Sequence, residues 1–485
     1  MIESRETPAP LYGGEYPATS ESTLTAMDAI APAGLLAMPT GRAILKIAIP
    51  AILSLLSIMI FNIVDAWWIG RLGAASMAGV SAASFVYWAL EGVGTLASTG
   101  VAALVARQVG GHRLRLARYT GGQGLLLSIF LGLSAGGATL LLQRPLLIKM
   151  GLAGEAFQAG HDYLRIMNIG LALLFAARAA EAVFRGMGDT RTPLKIMSSA
   201  LLLNALLDPL FIFGIGPLPR LEAAGAALAT VLAHAIVLVL CLVVLSRRGL
   251  SIRVRLSFWR KQQRHVLKEI ARIGAPVAVS GAMFSITYLF LTRVITRYGP
   301  EPLAALGLGH RIEGLAYFTG VGFAVAASTL VGQNIGAGNL RRAEKSAWTA
   351  LGYASVLLGL FSLFYFVAAE PMIRFFIDDP RVVAEGRAYL RIIALFEIFL
   401  GFELVLEGAF SGAGHTLPPM LVTVPLTWLR IPLAAWLAES LGLGSTGIWW
   451  AISSTTGLKG IAIALWFKAG TWKKRHQGGK KRLPG

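Results

Sequence analysis

The sequence predicts an all-α polytopic membrane protein with about twelve transmembrane helices in two pseudo-symmetric lobes of six helices each. Hydrophobic residues make up 55% of the 485 residues, charged residues only 14%, and the mean hydropathy is +0.65. A soluble chain of this length would need more charge to cover its surface. The apolar runs are continuous and lack the alternation of outer-membrane strands, which argues against a transmembrane barrel. An internal repeat predicts the two lobes.

Six apolar windows precede a basic connector, and six follow it. Each window is close to the roughly 20 residues that a bilayer-spanning helix needs. Gly, Pro and charged clusters separate the windows. In the first half the predicted spans cover residues 44–69, 76–104, 119–142, 160–184, 193–215 and 223–246. In the second half they cover residues 275–297, 303–331, 346–369, 388–410, 417–439 and 445–467.

The remaining segments give the chain a five-part organisation. Residues 1–40 are rich in Pro, Ser, Thr and Glu and lack a basic segment before a long apolar core. They are predicted to be a disordered tail and not a signal peptide. Residues 41–247 form the predicted N-lobe, 248–272 a basic cytoplasmic connector, 273–469 the C-lobe, and 470–485 a basic cytoplasmic tail.

The charge of the chain is explained by membrane topology. A net charge of +19 would suggest a nucleic-acid partner for a soluble domain. Here the Lys and Arg residues concentrate in alternate loops, as in cytoplasmic loops of membrane proteins. We therefore expect both termini in the cytoplasm, the lipid bilayer as the partner, and no nucleic acid. The only cysteine is Cys241, which excludes an intrachain disulfide or a thiolate metal site.

Four pairs of landmarks in the two halves are each 226 positions apart, which indicates an internal duplication. The pairs are Pro50 and Pro276, Gly73 and Gly299, Gly110 and Gly336, and Glu181 and Glu407. Because each half has an even number of spans, both halves enter the membrane from the same face. An axis along the membrane normal then relates them, as in some secondary transporters. Two such bundles form a cleft between them, so we expect alternating access.

Several motifs resemble those of a transporter family. The stretches "FNIVDAWWIG", "FRGMGDTRTP" with N-x-x-x-D-P after it, "LVGQNIGAGNLRRAEK" and "FSGAGHT" are similar to the multidrug and toxic compound extrusion (MATE) transporters, over roughly residues 42 to 470. The resemblance implies two six-helix lobes in a V shape. It also implies a secondary antiporter of the bacterial inner membrane that exports amphipathic, often cationic, drugs or metabolites in exchange for H⁺ or Na⁺. We expect a monomer with no enzyme activity and no cofactor beyond the coupling ion.

Polar residues inside the spans are the candidates for ion coupling, because an ionisable group there is costly and functional by default. Asn204 and Asp208 lie one helical turn apart and share a face. Their oxygens suit a hard cation, and burial favours a protonated carboxyl group. The resemblance adds Asp65 and Thr230 to this site, so Asp65, Asn204, Asp208 and Thr230 form the predicted H⁺ or Na⁺ site.

Each coupling candidate also has a structural interpretation. Asp65 is interpretable as an interfacial acid beside the aromatic belt residues Trp67 and Trp68. Asp208, before a proline, is interpretable as the start of a turn, and Thr230 as a hydroxyl in helix packing. At the repeat offset the C-lobe has Leu291, Arg430 and Ala434 in place of Asp65, Asn204 and Asp208. We therefore predict that only the N-lobe holds this cation site.

Other aromatic and charged residues in the spans are predicted to line the substrate cavity. They are Phe61, Arg178, Glu181, Glu313, Glu403 and Glu407. The spacing of Arg178 and Glu181 also predicts a salt bridge between them. The alternative for the C-lobe acids is structural pairing, for example of Glu407 with Arg430.

Three other functions compete with the antiporter. A flippase for a lipid or a lipid-linked oligosaccharide, from a related fold, would favour a strongly cationic central cavity and extra spans. A membrane-embedded enzyme would need His and carboxylate pairs at metal-ligand spacing, and the seven histidines form no such pair. The sequence also lacks the phosphate-binding motif GxxxxGK[ST], which leaves ATP-driven pumping without support.

Overall fold

A computed structural model describes residues 33–215, 219–248 and 261–477, and in these ranges the chain is helical with no strand. The N-terminal half begins with a short helix, α1, and continues with six long helices. They are α1 (Ala33–Ala37), α2 (Thr40–Gly70), α3 (Ala74–Gly110), α4 (Leu114–Lys149), α5 (Gly154–Met187), α6 (Arg191–Phe213) and α7 (Ala223–Arg247). Each long helix coincides with one predicted span.

The C-terminal half repeats this plan with two short extra helices and one interrupted span. Its helices are α8 (Lys261–Ile295), α9 (Pro300–Gly336), α10 (Leu340–Val367), α11 (Ala369–Arg374), α12 (Pro380–Ala394), α13 (Glu397–Gly412), α14 (Leu417–Ala435), α15 (Gly444–Lys468) and α16 (Thr471–Gln477). Among the described helices, ten are long and apolar enough to cross a membrane. The broken pair α12–α13 and the helix α15 complete the predicted twelve-span plan.

The predicted span 388–410 is not one helix. It divides between α12 and α13, where the amides of Leu395 and Phe396 bond to carbonyls three residues back. This tightened turn ends the regular four-residue ladder of α12. The apolar pattern continues through the break, so the sequence did not predict it.

The segments outside the spans differ in part from the prediction. The prediction of a disordered tail was wrong for residues 33–40, because α1 and the start of α2 occupy them. Residues 1–32 lie outside the described residues, as do residues 249–260 of the connector and 478–485 of the C-terminal tail. Residues 261–272 of the predicted connector belong to α8, and the tail contributes α16.

The two halves are related by the repeat at atomic detail. Thr190 Oγ1 donates to the carbonyl oxygen of Ile47 at 2.8 Å, and Thr416 Oγ1 donates to that of Ile273, also at 2.8 Å. The donors and the acceptors of the two bonds are each 226 positions apart. Each bond ties the loop after the fourth span to the first span of the same half. The same packing therefore holds both lobes, as a duplication predicts.

The lobes meet through α3 and α9, with α2 against α9 and α8 against α3. The two lobes are in close backbone contact where α3 and α9 end. A Cβ atom at Gly110 would collide with the carbonyl oxygen of Gln333, and one at Gly336 with that of Arg107. Gln333 Nε2 also donates to the carbonyl oxygen of Gly186 at 3.0 Å. These contacts close this end of the bundle, which the charge pattern predicts to lie in the cytoplasm.

Candidate functional site

A central cavity of about 1190 Å³ lies between the lobes. Its N-lobe wall comes from α2, α3, α5, α6 and α7, and its C-lobe wall from α9, α10 and α11. The lining reaches Ile69 at the end of α2 and Phe375 after α11, and Phe375 is 84% exposed. The cavity therefore opens at the end opposite to the seal.

Aromatic rings line both walls of the cavity. The N-lobe contributes Phe61, Tyr87 and Trp88, and the C-lobe contributes Phe318 and Phe364. Flat apolar surfaces on two facing walls suit an amphipathic compound with a ring system. Phe61 was predicted to line the cavity and does so, although its contact with substrate stays a prediction.

Two carboxyl groups meet on the N-lobe wall. Asp65 lies on α2, about 8 Å before its end at 1.5 Å per residue, and lines the cavity. Asp208 lies on α6, and its carboxyl group is in hydrogen-bonding contact with that of Asp65. Asp65 is 9% exposed and Asp208 is fully buried. Two groups that are 143 positions apart in the chain thus form one site.

Asn204 and Thr230 complete this carboxyl pair. One end of the Asn204 side-chain amide lies 2.8 Å from Asp65 Oδ1 and 3.2 Å from Asp208 Oδ2. The other end lies 3.3 Å from Asp208 Oδ1. With its nitrogen at the first end, Asn204 donates to both carboxyl groups. Thr230 Oγ1 donates to Asp65 Oδ2 at 3.4 Å, so the structure brings together all four residues predicted for ion coupling.

The predicted salt bridge between Arg178 and Glu181 was wrong. Arg178 pairs with Glu91 of α3 at 2.7 Å, and Glu181 pairs with Arg185 of its own helix at 3.7 Å. Arg178 lines the cavity as predicted, and so does Glu91. Glu181 does not line it, because its side chain is buried behind the wall. Spacing along one helix allowed the first pairing, but the neighbouring helix α3 supplies the better partner.

Three acids of the C-lobe that were predicted to line the cavity do not line it. Each of them is bound to a partner within the C-lobe. Tyr389 donates to Glu313 at 2.9 Å, Lys459 pairs with Glu403 at 2.5 Å, and Thr423 donates to Glu407 at 2.8 Å.

Arg430 does not pair with Glu407, which was the structural alternative drawn from the sequence. Its guanidinium donates instead to Thr455 at 2.9 Å, Thr456 at 2.7 Å and the Tyr288 hydroxyl at 3.2 Å. The C-lobe acids are therefore paired, as the structural interpretation predicted, but with other partners.

The chain is similar to known proteins over most of its length. The MatE family matches residues 50–210 and again residues 276–436, two segments offset by 226 positions. The chain belongs to the MatE family. A probable multidrug resistance protein NorM of Thermotoga maritima is 30% identical over 441 residues, which are 90% of this chain and 93% of that protein. An FAD transporter of Shewanella oneidensis is 27% identical over 88% of this chain and 94% of that protein.

Solved structures of MatE-type proteins share the fold. A MOP superfamily transporter of Pyrococcus furiosus, described as having a binding pocket of reversed polarity, superposes with a TM-score of 0.83 at 24% identity. An outward-facing multidrug resistance MATE transporter gives the same TM-score and identity. Each likeness covers 92% of this chain and 98% of the other. The predicted two-lobed fold and membership in a family of multidrug efflux transporters are confirmed.

Three residues that line the cavity of this MatE protein were not predicted. Glu91 pairs with Arg178, and His234 and the buried Tyr163 also line the cavity. Tyr163 interacts electrostatically with both carboxyl groups. A signal for it exists in the sequence, because "GHDYLRI" in the first half is repeated as "GRAYLRI" in the second.

Proposed function

We propose that this chain is a secondary antiporter that exports amphipathic drugs or metabolites in exchange for H⁺ or Na⁺ by alternating access. We place it as a monomer in the bacterial inner membrane with both termini in the cytoplasm. The observation that carries the proposal is the Asp65–Asp208 carboxyl pair on the wall of the central cavity. The family supports the transporter class, and the pair supports the coupling.

Two carboxyl groups in direct contact cannot both be charged without a cation between or beside them. Among the residues that the structure describes, no Lys or Arg lies within ion-pair distance of Asp65 or Asp208. The arginine on this wall, Arg178, is paired with Glu91. A proton or a metal cation from solution therefore has to balance the pair. A site that takes its counter-ion from solution can also release it, as an exchanger requires.

Both candidate ions fit the donor set. A proton can bridge the two carboxyl groups directly, because they are already in hydrogen-bonding contact. Na⁺ accepts oxygen ligands, and Asp65, Asp208, Asn204 and Thr230 offer carboxylate, amide and hydroxyl oxygens. The proposal therefore includes both ions, and transport under separate gradients decides between them.

One end of the helix bundle is closed and the other is open, which supports a cycle of alternating access. The end where α3 and α9 finish is sealed, and the cavity opens at the other end. With both termini in the cytoplasm this conformation faces outward. Asp65 then takes its ion from outside, and rocking of the lobes about the α3–α9 contact would deliver that ion inward.

The cavity wall favours an amphipathic substrate over the lipid-linked substrate of a flippase. Its charged residues are two acids, Asp65 and Glu91, and two arginines, Arg178 and Arg311. This lining is not the strongly cationic one expected of a flippase. Aromatic rings on both walls support a drug-like ring system, and the similarity to an FAD transporter supports including metabolites.

The test uses Asp65→Asn and Asp208→Asn in proteoliposomes loaded with a fluorescent drug-like substrate. Each change should reduce gradient-driven transport to background, because the amide cannot exchange a proton and binds Na⁺ more weakly. Efflux is measured under an imposed pH gradient without Na⁺, and then under a Na⁺ gradient with the pH gradient collapsed. Asp162→Asn, on the same lobe but outside the site, is the matched control and should transport normally. Normal transport by both site variants would refute the proposal.

A further inference from the structure

Arg311 lies on the C-lobe wall of the central cavity, and its side chain is exposed to that cavity. It is on α9, about 16 Å from the first residue of that helix at 1.5 Å per residue. Within the described ranges no carboxylate lies at ion-pair distance from it, and no side chain accepts a hydrogen bond from it. An ionisable side chain at such a depth is costly, so a missing partner indicates a function.

The other charged residues of the cavity wall are already engaged. Glu91 and Arg178 neutralise each other at 2.7 Å. Asp65 and Asp208 form the carboxyl pair on the N-lobe wall, which is opposite Arg311. Among the described lining residues, Arg311 is thus the one permanent charge that the protein itself does not balance. Guanidinium groups bind carboxylates and phosphates through two parallel hydrogen bonds, which makes Arg311 suited to an acid group of a bound compound.

The surroundings of Arg311 leave space for such a compound. A Cβ atom added at Gly314, less than one turn further along α9, would meet no atom within 4 Å, and Gly314 also lines the cavity. Phe318, one turn beyond, adds an aromatic ring to the same wall. On the facing wall Phe85 and Trp88 are 62% and 56% exposed and pack edge to face. The cation therefore stands beside open space between two aromatic surfaces.

The repeat shows that this cation is specific to one wall. The N-lobe position equivalent to Arg311, 226 positions earlier, is Phe85. Both side chains line the same cavity from opposite lobes. A compound in the cavity thus meets a ring and the Asp65 carboxyl group on one side and a guanidinium on the other. This distribution of charge suits a molecule with opposite charges at its two ends.

We propose that Arg311 binds the acid group of the transported compound, an aromatic zwitterion whose cationic group faces the Asp65 wall. The proposal rests on the antiport proposed above, which requires ion and substrate to compete. A purely anionic compound would bind best when Asp65 is neutralised by the ion, so the two would favour each other. A cationic group near Asp65 competes with the ion, while the acid group at Arg311 adds affinity without opposing the exchange.

The test compares three dyes that share a xanthene ring system. Rhodamine B is a zwitterion, its ethyl ester is a cation without the free carboxylate, and fluorescein is an anion. Binding to the purified protein in lipid nanodiscs is measured by fluorescence anisotropy, without any gradient. We expect rhodamine B to bind about tenfold more tightly than its ester, the range of one charge-assisted pair. Fluorescein binding at least as tight as that of rhodamine B would overturn the zwitterion assignment.

Variants of Arg311 assign the preference to this side chain. Arg311→Gln should weaken rhodamine B about tenfold and leave the ester unchanged, and Arg311→Lys should keep part of the preference. Arg297→Gln, an exposed arginine of the same lobe outside the cavity lining, is the control and should bind like the wild type. Equal binding of rhodamine B and its ester by the wild type would refute the proposal. So would an equal loss of both dyes in Arg311→Gln.

The binding assay separates this proposal from the antiport. If Asp65→Asn and Asp208→Asn transport normally while the Arg311-dependent preference is present, the coupling proposal fails and the acid-binding site stands. If those variants lose transport while the dyes bind equally, the coupling stands and the acid-binding site fails.

Discussion

Position 204 of the N-lobe and position 430 of the C-lobe are equivalent in the repeat, yet the first carries an amide and the second a guanidinium. Asn204 lies against two carboxyl groups, whereas Arg430 donates to Tyr288, Thr455 and Thr456. Thr456 is itself the equivalent of Thr230, which donates to Asp65. In the C-lobe the polar group of the fifth span thus contacts a threonine of the sixth span directly, whereas in the N-lobe Asn204 and Thr230 both contact Asp65 of the first span.

The difference between the lobes is the source of positive charge. In the N-lobe the carboxyl pair needs a proton or cation from solution, which can leave again. In the C-lobe the charge is covalently fixed in Arg430, which is 2% exposed, and the carboxylate positions are taken by Leu291 and Ala434. The equivalent bonds of Thr190 and Thr416 show that both lobes pack the loop after the fourth span against the first span in the same way. Under the proposed antiport, one scaffold thus carries a site that can exchange its ion and a site that cannot.

The largest expected effect comes from making the N-lobe resemble the C-lobe. Asn204→Arg would place a guanidinium against Asp65 and Asp208, so that a fixed positive charge takes the place of the exchangeable proton or cation. Gradient-driven transport in proteoliposomes should fall to background while the protein remains in the membrane. The reciprocal change, Arg430→Asn, should leave transport coupled, because no carboxyl pair lies at that position. Coupled transport by Asn204→Arg, or loss of coupling in a folded Arg430→Asn, would contradict the assignment of coupling to the N-lobe alone.

A second difference between the lobes affects stability more than transport. Lys459 and Glu403 form an ion pair at 2.5 Å with side chains 3% and 8% exposed, and the equivalent N-lobe positions are Ala233 and Ala177. Lys459→Ala leaves Glu403 buried without its cation, which should cost about 3–5 kcal/mol in unfolding free energy. The measurement is denaturant or thermal unfolding in detergent.

The control for this pair is the double variant Glu403→Leu with Lys459→Met. It replaces both charges by apolar groups and should be less destabilised than Lys459→Ala, because no unpaired charge remains. A double variant that loses as much stability as the single one would show that packing, and not the unpaired charge, sets the cost.

The smallest effect concerns the loop after the fourth span, where Asp189 has no acidic equivalent in the C-lobe. Asp189 accepts hydrogen bonds from the backbone amides of Arg191 and Thr192 and from Arg248 at 2.6 Å. Pro418 stands in the C-lobe at the position of Thr192 and has no amide hydrogen to satisfy. Asp189→Ala should therefore lower the unfolding free energy by about 1 kcal/mol.

The pH dependence of this difference has a definite sign. Partial burial opposes ionisation of Asp189, but the hydrogen bonds from Thr192 and Arg248 outweigh it, so its pKa lies below the ordinary value. Because the pKa of Asp189 is lower in the folded than in the unfolded protein, its ionised carboxylate stabilises the fold at pH values above the unfolded pKa, which is near 4. This contribution to stability is lost as the pH falls through the pKa of the folded state. The difference between wild type and Asp189→Ala should be constant from pH 7 to about 5 and shrink toward pH 3. A difference that grows on acidification would contradict this.

The sequence by itself determined the spans, the duplication and half of the proposed ion site. A run of about 20 apolar residues predicts a membrane helix, because the bilayer leaves the backbone no other partner. The constant offset of 226 revealed the two lobes without any structure. Asn204 and Asp208 could be placed together because residues four apart share a helix face. These are local or periodic properties of the chain, so the order of the residues alone is enough to recognise them.

Only the tertiary structure decided which residues of different helices meet. Three features depend on how neighbouring helices are rotated. They are the contact of Asp65 with Asp208, the pairing of Arg178 with Glu91 and not Glu181, and the lack of a partner for Arg311 among the described residues. Spacing within one helix cannot fix that rotation, because it is set by side-chain packing between helices. The same holds for the C-lobe acids. The sequence indicated that they are charges within the spans, but it did not indicate which partner each of them would bind.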